Sequence, residues 1–139
     1  MSMVPDRLLR LTLRGNAIFS GLSGVALALF ASSFATLLTP AQEVVAGLPV
    51  STLLRVLGLG LVLFGIAVGI AASQPVLSAA LGQAFFWADV AWVLGTCVLL
   101  LLAAPVFTVT GLVLVIVVGL VVADFAAFEY WGLRRLRLG

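Results

Sequence analysis

The chain has no histidine, no lysine and one cysteine, and each shortage removes a chemistry. Without imidazole there is no side-chain base that titrates near neutral pH and no histidine ligand for metal or haem, and without lysine there is no Schiff-base site. Cys97 lies in an apolar run with no second cysteine to pair with, so the redox compartment is not legible. Charge is also scarce. Only 9% of the 139 residues are charged, whereas 64% are hydrophobic and the mean hydropathy is +1.35. A soluble domain carries about 25% charged residues, so a soluble fold of this chain would have to turn most of its apolar surface to water. The solvent is therefore lipid, and the bilayer is the first expected partner. No metal, cofactor or nucleic-acid partner is expected.

At the ~20-residue width of a hydrocarbon core, four apolar stretches stand out, at about 13–38, 52–72, 84–104 and 108–131. The prolines Pro5, Pro40, Pro49, Pro75 and Pro105 fall outside or at the edges of these stretches, where a missing N–H does least harm to a helix. Membrane β-strands alternate apolar and polar residues, and runs such as 111–118 do not. The pattern predicts an all-α polytopic membrane protein, a single four-transmembrane-helix bundle over residues 1–139. Helices 3 and 4, joined by a very short loop, are neighbours.

Arg7, Arg10 and Arg14 precede the first stretch, Arg134, Arg135 and Arg137 follow the last, and Arg55 alone lies elsewhere. By the positive-inside rule both termini are cytoplasmic, which an even number of spans also requires. The expected location is the plasma membrane, the inner membrane in a bacterium. The first stretch is too long for a signal peptide and no convincing cleavage site follows it, so it reads as an uncleaved helix. In the outer loop, Glu43 is the expected partner of Arg55. Thr39-Pro40-Ala41-Gln42 has the form of a capping box, predicting a short outer surface helix at 40–46 ended by Gly47.

Helices in lipid associate through close backbone approach and polar contacts, which small residues mark. Asn16, Ser20, Gly24, Ala28 and Ser32 recur every fourth residue in the first helix, while Gly58, Gly65 and Gly69 mark the second, the last two in GxxxG spacing. Two uses fit: packing inside the bundle, or dimerisation of the chain, alone or within a larger membrane complex.

Ionisable residues inside a membrane are costly. Asp89 and Asp124 fall in the half of the helices nearest the termini, where Arg14, Asn16 and Glu129 also lie. Arg14 is the expected counter-ion, and Trp92, one turn from Asp89, is too deep for an interfacial anchor and reads as the wall of a pocket. The candidate polar pocket is thus Arg14, Asn16, Asp89, Trp92, Asp124 and Glu129. Two uses again fit, a buried pair that fixes helix register or a cytoplasm-facing site for a proton, a cation or a lipid headgroup. Aromatic residues Phe85, Phe86, Trp87, Tyr130 and Trp131 flank the same level as interface anchors, and the terminal arginines suit anionic lipid.

Arg14-Gly15-Asn16-Ala17, Asp89-x-x-Trp92-Val93 and Gly132-Leu-Arg-Arg135 make the whole chain resemble small four-helix integral membrane proteins of bacteria, with a topology similar to that of the DoxX-like proteins. That resemblance implies an architecture and no established activity. The small multidrug transporters are similar in helix number, but they use a first-helix glutamate where this chain has Asn16. The function expected first is a structural or accessory membrane subunit. The alternative is a small transporter or ligand-binding membrane protein, and an enzyme is not expected because no catalytic residues are evident.

Overall fold

The computed structural model describes residues 6–40 and 44–138. It is helical apart from one two-residue hairpin: α1 Arg7–Leu29, α2 Ala31–Leu38, β1 Val44–Val45, β2 Leu48–Pro49, α3 Val50–Ser73, α4 Ala79–Ala103 and, after a 3-10 turn at Ala104–Val106, α5 Val109–Leu138. Three helices are long and apolar enough to cross a membrane, or four if α1 and α2 together form one span. Leucine, valine and isoleucine side chains stay exposed along them, Leu101 and Leu102 at 83% and 80%. Such a surface is stable only in lipid, so the chain is an integral, multi-pass membrane protein.

The first predicted stretch, 13–38, is not one helix. It starts at Arg7 and turns through 92° at Phe30, whose φ of −110° and ψ of 26° leave the helical region. No proline or glycine stands at the break. Tertiary contacts hold it: Thr108 donates its backbone N–H to Leu38 O at 2.9 Å and its hydroxyl to Leu37 O at 2.5 Å. The same hydroxyl caps α5 by accepting from Gly111 N–H at 2.9 Å. Gly111 has no Cβ, and the Leu38 carbonyl occupies the place where one would stand. The bend also takes Ser32 off the small-residue stripe and leaves it exposed.

The surface helix expected at 40–46 is replaced, over its described part, by a hairpin. Val44 pairs with Pro49 and Val45 with Leu48, and Ala46 and Gly47 turn the chain with φ of 53° and 79°. Positive φ at both positions of a two-residue loop matches the twist of paired strands and ends any helix. Glu43, and so its expected pairing with Arg55, lies outside the described residues; Arg55 itself is exposed on α3.

α1 packs chiefly on α3 and α4 on α5, and α1 against α5 joins the two pairs. The α1–α3 seam is made by glycine: a Cβ on Gly24 would lie 2.6 Å from Gly58 O, one on Gly58 2.6 Å from Gly24 O, and one on Gly65 2.8 Å from Ala17 O. Such close backbone approach compensates for the lack of a hydrophobic drive between helices in lipid. Gly69, by contrast, leaves room for a Cβ at 3.6 Å from Ala17, so Gly58 and Gly65 form the seam rather than the GxxxG pair. Ala28 and Ser20 are where the stripe predicts, Ala28 against Gly58 and Ser20 buried.

The start of α1 and the end of α5 lie at one end of the bundle, the termini end, where Leu9, Leu13, Val68, Ala72, Leu77 and Leu133 form the close-packed core and Gly132 admits the backbone of Leu9. Arg10 ties the α3–α4 connection to this end. Its guanidinium donates to Ala72 O at 2.9 Å and Gln74 O at 2.6 Å, and to Asp6 Oδ2 at 2.6 Å. A cation against the last carbonyls of α3 satisfies acceptors that helix geometry leaves orphaned and faces the negative end of the helix dipole.

Candidate functional site

Three helices deliver polar side chains to one level. At 1.5 Å per residue, Asn16 lies roughly 14 Å from the start of α1, Asp89 roughly 15 Å from the start of α4 and Glu129 roughly 14 Å from the end of α5. α4 begins five residues before the predicted 84, with Ser78 as its cap accepting from Leu81 N–H. Asp89 is therefore deeper in its helix than sequence counting suggests, ten residues from the start of α4 rather than five.

Asn16, Asp89 and Glu129 are 1%, 4% and 0% exposed. The Asn16 amide nitrogen donates to Asp89 Oδ2 at 2.6 Å and to Glu129 Oε1 at 3.1 Å, so both of its N–H groups go to carboxylates. Ser20, one turn along α1, donates its hydroxyl to Asn16 Oδ1 at 3.0 Å and fixes which way the amide points. The cluster is rich in acceptors. Glu129 Oε2 is buried with no hydrogen-bond partner, as is the indole nitrogen of Trp92.

Arg14 does not join it. Arg14 is exposed, and the ion pair among the described residues is Arg10 with Asp6. Two residues apart on a helix are 200° apart around it, so Asn16 in the buried stripe Leu9, Leu13, Asn16, Ser20, Gly24 turns Arg14 outward. Asp124 is likewise exposed. It is two residues past Val122 in the buried row Val122, Ala126, Glu129, Leu133, which puts Glu129 rather than Asp124 opposite Asp89. Of the expected cluster, Asn16, Asp89 and Glu129 are brought together, while Arg14 and Asp124 fall on other faces of their helices and are exposed.

Beyond Asp89, toward the hairpin end, a cavity of about 610 Å³ lies between the α1–α3 pair and the α4–α5 pair. α3 and α4 meet where Phe64 and Phe85 stack edge to face, ring centroids 5.8 Å apart, and otherwise scarcely touch. Asp89, Ser20 and Ser23 supply polar groups to a wall otherwise of Phe19, Leu61, Phe64, Val122 and similar side chains. Trp92 lines this cavity, as its depth suggests, and also a second of about 450 Å³ that reaches Thr39, Ala103 and Phe107. The polar level thus opens toward the apolar middle of the bundle, while the core of Leu9, Leu13, Val68, Ala72, Leu77 and Leu133 packs on its other side. A pocket facing the termini was expected. The space beside Asp89 lies on the opposite side, while the pockets at the termini end, lined by Trp87, Tyr130, Arg134 and Arg137 or by Phe128, Trp131 and Arg135, include no residue of the cluster.

Fold and site define a helical membrane protein with a buried acidic cluster at the head of an apolar cavity. No protein family, curated protein or solved structure matches the chain.

Proposed function

We propose that this is a ligand-binding membrane protein that takes a cationic or proton-donating group at Asp89 and Glu129 from the bilayer side. One observation carries the reading: Asp89 ends an apolar cavity while sharing a single neutral amide, that of Asn16, with a second buried carboxyl. A charged carboxylate at the centre of a membrane costs about 2.5–3.5 kcal/mol on insertion scales, and two that share a site repel each other. Asn16 offsets that cost with hydrogen bonds but brings no positive charge. A proton or a bound cation supplies what the cluster lacks.

A subunit that only packs against partners has no need of a cavity ending in a carboxyl group, so the geometry favours binding over the accessory role expected from sequence. Transport would need a second outlet, and the packed core at the termini end supports binding over export. The separation of α3 from α4 supports entry sideways from lipid.

The test uses the protein in lipid nanodiscs and tetraphenylphosphonium as the probe, followed by tryptophan fluorescence. Saturable binding is expected, weakened at least tenfold by Asp89→Asn and little changed by Asp124→Asn. Absence of saturable binding, or equal binding by the Asp89→Asn protein, would overturn the reading.

A further inference from the structure

The two cavities are not independent. Leu27, Phe34, Leu57, Trp92 and Val118 line both, so the two adjoin, one beyond the other from Asp89 toward the hairpin end, with these side chains at their junction. From Asp89 to Ala103 the two together follow fourteen residues of α4, roughly 21 Å. An extended hydrocarbon chain advances about 1.25 Å per bond at standard bond length and angle, so a sixteen-carbon chain matches this length. The second cavity is almost wholly apolar, walled by leucine, valine, phenylalanine and alanine, with Thr39 and Thr96 as its hydroxyl-bearing side chains beside the Trp92 indole.

The head end selects for donors. Asp89 is the carboxyl on the cavity wall, Asn16 has spent both N–H groups and Ser20 its hydroxyl, and Glu129, whose Oε2 has no partner, is buried off that wall. Among the described residues, the one unpartnered buried donor beside the cavity is the Trp92 indole N–H. An ammonium group offers three donors and no acceptor, and it carries the charge missing from the cluster. A phosphate or carboxylate head would add acceptors and negative charge to a place that already has both.

We propose that the ligand is a single-chain lipophilic primary amine, its ammonium at Asp89 and its tail running past Trp92 into the second cavity. The proposal deepens the ligand-binding reading and rests on it. Lipid tails are as apolar as the cavity wall, so the tail adds little affinity; its contribution is orientation, and the test reads position.

Hexadecylamine carrying a photoactivatable diazirine at the tail end is incubated with the protein in nanodiscs, irradiated, and the labelled residues are mapped by mass spectrometry. Labelling is expected at Thr39, Ala103 and Phe107, competed by unlabelled hexadecylamine and at least tenfold lower with Asp89→Asn. The hexadecanol bearing the same diazirine, used on unaltered protein, is expected to give at least tenfold less label there, which tests the charge without depending on a variant that folds. Labelling confined to lipid-facing positions such as Leu101 and Leu102, or equal labelling by the alcohol, overturns the amine proposal. If that happens while tetraphenylphosphonium still binds in an Asp89-dependent way, the broader reading stands; loss of both sinks the two together.

Discussion

Asn16 of α1 and Asp89 of α4 are joined by a 2.6 Å hydrogen bond, although 73 residues separate them in the chain and α1 packs mainly on α3 and α5. The bond crosses between the two helix pairs, at the border between the packed core of the termini end and the cavity. With the Asn16–Glu129 bond it gives the bundle a polar tie there.

Asn16→Leu should therefore destabilise the protein by more than a lost hydrogen bond between neutral groups. Hydrogen bonds to charged groups contribute about 1.5–3 kcal/mol, and the substitution also leaves two adjacent carboxyls without a donor. Adding Glu129→Gln should recover part of the loss by removing the repulsion. Thermal or denaturant unfolding of both single variants and the double variant in mild detergent measures the coupling, and strictly additive effects would remove the shared cluster.

The α1–α3 seam predicts a sharp contrast among glycines. Gly58→Ala places a methyl against the Gly24 carbonyl, with backbone on both sides, and should cost about 1–3 kcal/mol as overpacking does. Gly69→Ala meets only Ala17 at ordinary contact distance and should be tolerated. Gly95 faces open space, so Gly95→Ala should be neutral or stabilising by up to about 1 kcal/mol through helix propensity. Melting temperatures in one detergent rank the three, and equal values would remove the seam.

Arg10→Met should loosen the end of α3 without touching the polar cluster. The partly exposed guanidinium bonds Ala72 O and Gln74 O, and removing it should cost about 1 kcal/mol. The effect should be local. Faster hydrogen exchange at 72–77, with unchanged exchange near Asp89, is the expected signature; uniform acceleration along the chain would contradict it.

Orientation is tested with cysteine labels in a Cys97→Ala background. Gln74 is exposed at the termini end and Val109 at the hairpin end. If the six terminal arginines obey the positive-inside rule, Gln74→Cys should react with an impermeant maleimide only from the cytoplasm and Val109→Cys only from outside. The reverse pattern would invert the topology.

What the sequence determined by itself is the apolar surroundings and the rough limits of the three segments that become α3, α4 and α5, because these depend on composition and on proline placement along the chain. It also placed Asn16, Asp89 and Glu129 at similar depth, since rise per residue is a property of any helix. Only tertiary structure decided which polar residues meet. Arg14 looked like the natural partner of Asp89 by charge, yet the close approach of Gly24 to Gly58 sets the rotation of α1, and that rotation turns Asn16 inward and Arg14 outward. The bend at Phe30 was equally out of reach, because no residue there breaks a helix; contacts of Leu37 and Leu38 with Thr108, seventy residues away, hold it. The cavity is the space left where α3 and α4 fail to touch. Space between elements is set by how whole helices cross, which no local run of residues encodes.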